Sequence, residues 1–304
     1  MPAPEWDDPR HVQGREPSLI RIEHLSFGYR KAPLYRDFNL SLGEPGVYGL
    51  FGRNGSGKST LLLLLAGLLF PRGGRIDAMG HDPSKRHAEF LRQVYIVPEE
   101  FHLPNLRPEK LAETESGFYP NFSGAAFKEY LGIFDVPGDA SFEEMSLGQK
   151  KKAAIAFALA TFTPVLLLDE PTNGLDIISR DQFKAIMSRP EQRERIVVIS
   201  THQAHDLERI MSHILFIDGA SLALSATMAE LGAALSIGVA ADVAALSAIP
   251  DILYSEALGT QQAYVAVNHA ATPGEVHLEL LYKALSLHKD AVLAVLASKE
   301  KARV

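Results

Sequence analysis

The sequence predicts an α/β fold in which helices cover both faces of a mostly parallel sheet. Three short apolar runs, residues 165–168, 196–199 and 214–217, have the length and composition of buried strands, and helical stretches separate them. A glycine-rich loop at residues 52–60 joins a further apolar strand to a helix. Strands that alternate with helices form parallel sheets, because a parallel pair needs a long crossover connection.

Composition and charge narrow the class of protein. The chain has 304 residues, 46% of them apolar and 22% charged, which is typical of a globular protein with one or two domains. Its formal net charge of −7 provides no general basic surface, so we expect no direct nucleic-acid partner. The chain has no cysteine, which excludes disulfides, thiolate metal sites and a cysteine nucleophile. The longest apolar run, residues 61–70, is far shorter than the ~20 residues that cross a bilayer.

The predicted elements follow one another in a simple order. Residues 18–29 and 40–49 are predicted to be extended strands, and a short strand ends near Phe51, before the glycine loop. A helix then continues through Leu69, where a proline and two glycines end the pattern. Further on we expect a strand at residues 94–97, a largely helical region at 108–162 and then the three apolar strands.

The two ends of the chain differ in character from its middle. Residues 1–17 contain four prolines among polar residues, and we expect a flexible arm there rather than a signal peptide. Residues 235–304 are Ala-rich, with strands predicted at 253–257 and 263–267 and a helix at 275–297. We interpret them as a small accessory α+β domain. Its last helix is apolar over most of its circumference, so we expect it to pack against the rest of the chain.

The glycine loop carries the first chemical signal. Residues 52–59 read Gly-Arg-Asn-Gly-Ser-Gly-Lys-Ser and match G-x-x-x-x-G-K-[ST] between a strand and a helix. Glycines let consecutive backbone N–H groups turn towards an anion, and the helix N-terminus adds its positive dipole end. A plain glycine turn is the alternative to a site that binds and hydrolyses ATP. The loop residues predicted to bind the nucleotide are Gly52, Asn54, Gly55, Ser56, Gly57, Lys58, Ser59 and Thr60, with Lys58 on the β and γ phosphates and Ser59 on Mg²⁺.

A pair of adjacent carboxylates is the second signal. Asp169 and Glu170 end the apolar strand at residues 165–168, at the edge where ligands of parallel sheets bind. Asp169 can hold Mg²⁺ through water, and Glu170 can polarise an attacking water, as phosphoryl transfer to water requires. Acidic residues end many strands, so the pair indicates catalysis only in combination with the glycine loop.

These motifs together resemble the nucleotide-binding domain of ABC-type ATPases. Residues 169–176, Asp-Glu-Pro-Thr-Asn-Gly-Leu-Asp, resemble the Walker B glutamate and the D-loop of that family, and His202 resembles its switch histidine. Residues 145–149, Met-Ser-Leu-Gly-Gln, stand in the place of the LSGGQ signature. The resemblance spans residues 19–224, with the motifs in the family's order.

The resemblance implies a fold and a division into domains. The fold is that of a P-loop NTPase with a mostly parallel sheet, an N-terminal antiparallel β subdomain, a helical signature subdomain and a small C-terminal α+β extension. The ATP-binding domain is expected at residues 18–234, with the helical subdomain at about 100–160, and the extension at 235–304.

The resemblance also assigns roles to residues outside the loop. Ser146, Gly148 and Gln149 are expected to contact the γ phosphate of an ATP on a second subunit, in a head-to-tail homodimer with ATP at the interface. His202 is expected to bond the γ phosphate, with a capping or solvated histidine as the alternative. Tyr29 is either the aromatic residue that stacks on adenine or a core tyrosine.

Three features of the motifs need separate interpretation. Glu99 stands where the family has its Q-loop glutamine; a carboxylate there can still ligate Mg²⁺ but adds negative charge, and a solvated acid is the alternative. Leu147 replaces the first glycine of the signature, which removes backbone freedom at that position. Lysines 150–152 are interpreted as a solvated helix face, with nucleotide or partner contact as the alternative.

The function implied is that of the ATPase subunit of a membrane transporter, similar to single-domain bacterial exporter ATPases. The membrane-spanning permease would be a separate chain that contacts residues 101–130, and the protein would lie in the cytoplasm, on the inner face of the membrane. The alternative is a soluble ABC-type ATPase that acts on nucleic acid, ribosomes or cluster assembly. A binding-only regulator is disfavoured, since Lys58, Asp169, Glu170 and His202 are all present.

Overall fold

A computed structural model describes residues 19–30, 32–202, 207–270 and 272–301. The predicted arm at residues 1–17 lies outside these ranges. The strands are β1 Ile20–Tyr29, β2 Ala32–Leu42, β3 Gly46–Gly52, β4 Gly73–Ala78, β5 Val94–Val97, β6 Val165–Asp169, β7 Ile196–Ser200, β8 His213–Asp218, β9 Ser221–Thr227, β10 Leu235–Ala240, β11 Ile252–Leu258 and β12 Gln261–Val267. The helices are α1 Lys58–Leu65, α2 Ala88–Leu91, α3 Pro108–Glu115, α4 Gly124–Ile133, α5 Leu147–Ala160, α6 Ile177–Met187, α7 Pro190–Arg193, α8 Met228–Ala234, α9 Val243–Ser247, α10 Leu278–Leu287 and α11 Lys289–Lys301.

The central sheet has six strands in the order β5-β6-β7-β3-β8-β9. The first five are parallel, and β9 pairs antiparallel with β8. Every residue of β6 and β7 is buried, which explains why their sequences are continuously apolar rather than alternating. The prediction of a mostly parallel sheet is therefore confirmed.

An antiparallel sheet in the order β2-β1-β4 lies at the N-terminal side, and this prediction is also confirmed. The single strand predicted at residues 40–49 is wrong, because β2 ends at Leu42 and β3 begins at Gly46. The sequence pattern does not predict most of β2. Its pairing with β1 shifts register three times, and each shift interrupts the alternation of apolar and polar residues by which a strand is recognised.

Helix α1 ends four residues before the predicted Leu69. Gly67 adopts φ +67°, and Leu68 donates its N–H to the carbonyl of Leu63, which closes the helix in a left-handed cap. A Cβ at Gly67 would lie 2.3 Å from the carbonyl oxygen of Pro83, so only glycine fits there.

The helical region between β5 and β6 is held by aromatic packing. Phe157 on α5 lies against four rings that come from β5, α4 and the segment before α4. Residues 153–160 of α5 are all buried, so this helix has no solvent-facing side over its second half. The four rings are those of Tyr95, Tyr119, Phe122 and Phe127.

The C-terminal part forms an antiparallel sheet, β10-β12-β11, with α10 and α11 beside it. The single helix predicted at residues 275–297 is wrong, since His288 leaves helical geometry between α10 and α11. Tyr282 packs edge-on against Phe216 of β8, and Lys289 bonds Asp218 at 2.5 Å. None of the helices in the described ranges is both long and apolar enough to cross a membrane.

Candidate active site

A cavity of about 490 Å³ opens at the carboxyl edge of the central sheet. It is bounded by the glycine loop after β3, the start of α1, the end of β6, the segment after β7 and the end of β1. The structure thus brings together residues from distant parts of the sequence that were predicted to share a site. Its lining residues are Tyr29, Leu34, Asn54, Gly55, Gly57, Lys58, Ser59, Thr60, Glu99, Asp169, Glu170 and His202.

The glycine loop has a shape that other residues could not adopt. Gly57 has φ +104°, and a Cβ there would lie 2.5 Å from the hydroxyl of Tyr35. That hydroxyl donates a 2.7 Å hydrogen bond to the carbonyl of Gly57, which fixes the loop against the N-terminal sheet. The loop is therefore anchored at Gly57 by a residue of β2.

Three polar side chains of the loop are buried, those of Ser56, Lys58 and Thr60. Lys58 is 8% exposed, and its Nζ donates a 2.9 Å hydrogen bond to the carbonyl of Gly52. Burial lowers the pKa of Lys58, while Glu170, Asp169 and Glu99 raise it. The hydroxyl of Ser56 is buried and has no hydrogen-bond partner among the described residues. A cation and an unpaired hydroxyl at the start of a helix suit a polyphosphate.

The two carboxylates at the end of β6 are positioned by β7. Asp169 lies opposite Ser200 in the parallel ladder and accepts a hydrogen bond from its hydroxyl. Glu170 has φ 45°, a left-handed conformation that non-glycine residues rarely adopt, and its N–H donates to the carbonyl of Ser200 at 3.0 Å. Nδ1 of His202 lies 2.7 Å from Oε1 of Glu170. The Glu170 carboxylate thus faces the cavity with a histidine beside it.

Glu99 reaches the same cavity from the end of β5. Its Oε1 accepts a 3.0 Å hydrogen bond from the side-chain amide of Asn173, and its side chain is exposed, so its role as a Mg²⁺ ligand stays a prediction beside the alternative of a solvated acid. Among the described residues no group of three or more His, Cys, Asp or Glu side chains is placed to hold a metal ion. The oxygen donors of Ser59, Asp169 and Glu99 are those that Mg²⁺ prefers, and an open site suits a metal that also binds phosphate and water.

Tyr29 stands at the mouth of the cavity. Its side chain is half exposed, so the alternative of a core tyrosine is wrong. The hydroxyl shares a 3.1 Å hydrogen bond with Thr60, and the ring contacts Phe27 edge-on at 5.2 Å between centroids. The exposed ring is available for stacking, and the adenine contact stays a prediction.

The signature residues lie elsewhere, since the described residues that line the cavity do not include them. Ser146 is the N-cap of α5: its hydroxyl accepts from the N–H of Gln149 at 3.3 Å, and Oε1 of Gln149 accepts from the N–H of Ser146 at 3.0 Å. The cap leaves the O–H proton of Ser146 able to donate to an anion. Leu147, between them, is 73% exposed.

Lys151 contradicts the interpretation of residues 150–152 as a solvated face. It is only 5% exposed, and its Nζ donates to the carbonyl oxygens of Glu170 at 2.6 Å and Asn173 at 2.9 Å. Three consecutive residues on a helix are about 100° apart, so they cannot share one solvent face. That spacing, next to the buried stretch at 153–160, is the signal that sequence reasoning overlooked.

Comparisons with known proteins agree with this geometry. A family model described as ABC transporter matches residues 35–173. An energy-coupling factor transporter ATP-binding protein from Caldanaerobacter subterraneus is 30% identical over 232 residues, which cover 70% of this chain and 80% of that protein. The chain belongs to the ABC transporter family. The predicted family, fold class and ATPase class are confirmed.

Two further relatives and one structure extend the match of this ABC ATP-binding protein. A linearmycin resistance ATP-binding protein from Bacillus subtilis is 26% identical and covers 93% of this chain and 91% of its own length, so the likeness includes the C-terminal part. A fluoroquinolones export ATP-binding protein from Mycobacterium tuberculosis is 27% identical, over 68% of this chain and 70% of that protein. A solved ATP binding subunit of an ABC transporter shares the fold, with a TM-score of 0.64 at 24% identity over 70% of this chain and 92% of that chain.

Replacing Lys58 tests the nucleotide site of this ABC protein. Lys58→Ala removes a buried cation from the glycine loop, so MgATP should bind about 10- to 100-fold more weakly, as loss of charge-assisted hydrogen bonds implies. Equilibrium titration with a fluorescent ATP analogue measures this change. Lys128→Ala, which removes an exposed lysine of α4, is the control. Equal affinity in the Lys58 variant and the control would refute the assignment of the loop.

Glu99 can be tested by separating its shape from its charge. Glu99→Ala should lower the ATP turnover rate about tenfold while nucleotide affinity stays nearly unchanged, because a side chain that positions water or metal acts mainly on the reaction. Glu99→Gln keeps one acceptor oxygen and should lose less. Steady-state ATPase assays with varied Mg²⁺ check both variants. Unchanged rates and metal dependence would show that Glu99 is a bystander.

Proposed function

We propose that this chain is the ATP-hydrolysing subunit of a membrane exporter whose spanning subunits are separate chains. The observation that carries the proposal is the single cavity that joins Lys58, Asp169, Glu170 and His202. A cation for phosphate, a carboxylate for metal and a carboxylate–histidine pair for water are the parts that ATP hydrolysis needs.

The glycine loop would hold the triphosphate. Residues 52–60 direct backbone N–H groups at the β and γ phosphates, and Lys58 adds its charge. The ring of Tyr29, exposed at the cavity mouth, would stack on adenine. Ser59, Asp169 and Glu99 would hold Mg²⁺, which when bound neutralises negative charge on the phosphates.

Glu170 is proposed to orient the attacking water and to receive its proton. The water oxygen attacks the γ phosphorus while the bond to the β–γ bridging oxygen breaks, which yields ADP and phosphate. His202, held 2.7 Å from the Glu170 carboxylate, would bond a γ-phosphate oxygen. The left-handed backbone at Glu170 supports a functional role, because such conformations persist where the surroundings impose them.

A head-to-tail homodimer would complete the site. Ser146, Gly148 and Gln149 lie outside their own chain's cavity, which supports contact with an ATP on a second subunit. Apolar side chains lie nearby without cover: Leu147 is 73% exposed, and Ile177 and Ile178 are 78% and 71% exposed. A second copy would bury them when ATP bridges the subunits.

The contact with a permease is proposed at the helical subdomain. A groove of about 820 Å³ runs along α3 and α4, with Phe122, Phe127 and Leu131 at its base and Glu109 and Glu113 on its rim. A groove with an apolar base and an acidic rim suits an amphipathic segment of the spanning chain. The protein would then be held at the inner face of the membrane, in the cytoplasm.

The relatives favour an exporter over a soluble ATPase that is not coupled to transport. The fluoroquinolones export protein and the linearmycin resistance protein match most of the chain. The alternative is a soluble ABC-type ATPase on nucleic acid or ribosomes. It is disfavoured by the net charge of −7, and we expect no direct nucleic-acid contact.

Glu170→Gln tests hydrolysis and dimerisation together. The amide keeps the shape of the carboxylate but cannot accept a proton, so turnover should fall by about 10² or more while ATP binding remains. With ATP and Mg²⁺ the variant should form a dimer, measured by light scattering. The same variant with the added change Ser146→Ala is the control and should dimerise less. A wild-type turnover rate, or only monomer, would contradict the proposal.

Cell fractionation separates the exporter from the soluble alternative. Membranes from cells that make the chain at its natural level should retain it after washing with high salt, because an apolar groove rather than surface charge holds it. Solubilised in mild detergent, it should purify with an integral membrane protein whose presence stimulates the ATPase rate. Sedimentation with ribosomes, or recovery in the soluble fraction alone, would favour the alternative.

A further inference from the structure

We infer that Lys151 is a positioning residue for ATP hydrolysis: its ammonium group, reaching from α5, holds the backbone turn that carries Glu170. The inference rests on the proposed role of Glu170 and gives a role to a residue that the sequence predicted to lie on a solvated helix face.

The geometry of the turn is the first argument. The carbonyl of Glu170 accepts the N–H of Asn173 at 3.1 Å, which closes a turn directly after β6. Nζ of Lys151 bonds that same carbonyl at 2.6 Å and the carbonyl of Asn173 at 2.9 Å, so it bridges both ends of the turn. Lys151 is 5% exposed, and water cannot easily replace these bonds.

The backbone of Glu170 is the second argument. Its φ of 45° is unfavourable for a residue with a side chain, and the turn keeps this conformation only while its surroundings hold it. The N–H of Glu170 is held by Ser200 on one side, and its carbonyl is held by Lys151 on the other. Removing one of these partners should let the Glu170 side chain leave the orientation that faces the cavity.

The charges around the turn agree with this role. Burial lowers the pKa of Lys151, and Glu99, Glu170 and Asp169 raise it. The same three carboxylates raise the pKa of Lys58. Three acids of the cavity therefore interact with two buried lysines, one from α1 and one from α5, which offsets the repulsion among the carboxylates.

The bonds of Lys151 also connect separate segments. Lys151 lies two residues after Gln149, within the first turns of α5. Asn173, whose carbonyl Lys151 bonds, donates a hydrogen bond from its side-chain amide to Glu99. The start of α5, the turn after β6 and the end of β5 are thus tied by one chain of hydrogen bonds. A shift of α5 would therefore move the hydrogen-bond donor that holds the Glu170 carbonyl.

The experiment compares Lys151→Met with Lys151→Arg. Methionine keeps the length of the side chain but cannot bond the carbonyls, so kcat should fall about 10- to 100-fold, as small misplacements of catalytic groups do. The Kd for MgATP should change less than about threefold, because Lys151 does not line the glycine loop. Arginine keeps the charge and donors and should restore most of the rate. Lys152→Met, a half-buried neighbour on the same helix, is the control and should keep nearly the full rate.

A double variant shows whether Lys151 acts through Glu170. In the Glu170→Gln background, Lys151→Met should cause little further loss of kcat, since effects that act through one group do not add. A full rate in Lys151→Met would overturn the inference. A lower ATP affinity together with a lower melting temperature in both the Met and Arg variants would also overturn it, because it would indicate a general role of Lys151 in folding. A full rate in Glu170→Gln would overturn the proposed function as well, so the two failures are distinct.

Discussion

Strands β6 and β7 run parallel with Asp169 opposite Ser200, and the Ser200 hydroxyl donates a hydrogen bond to the Asp169 carboxylate. This register sets the positions of both acids and of His202, because Asp169 and Ser200 are the last paired residues, and Glu170 and His202 follow them closely in the chain. A slip of one residue would turn every side chain of β6 to the other face of the sheet. β3 pairs with the other edge of β7, so the same ladder also places the glycine loop.

The parts of the site that depend on short-range patterns could be predicted from the sequence. The glycine loop needs backbone freedom at fixed spacings, and the carboxylates follow an apolar run whose length and composition indicate a buried strand. The helical spacing could have predicted the burial of Lys151 but not its role, because that role depends on two carbonyl groups that lie about twenty residues away in the sequence. The start of β2 and the break at His288 were missed for a related reason: bulged pairing and packing between elements decide them.

Two side chains that are proposed to bind the nucleotide, those of Ser146 and Lys58, also make hydrogen bonds that stabilise the protein's own backbone. The Ser146 hydroxyl oxygen accepts the capping hydrogen bond from Gln149, and its O–H can still donate to an anion, so the two hydrogen bonds do not compete. The Lys58 ammonium is occupied by a carbonyl of its own loop, which holds it in place at the cost of one donor. Such preorganisation reduces the ordering that binding requires.

The C-terminal part shares its apolar core with the ATP-binding part. Leu278, Leu281 and Leu285 pack against Phe51 and Phe216, and Phe51 immediately precedes the first glycine of the phosphate loop. Each part therefore covers apolar surface of the other. A chain that ends before β10 would therefore expose an apolar surface beside its nucleotide loop. Such a surface promotes aggregation, which would limit the use of the ATP-binding part on its own.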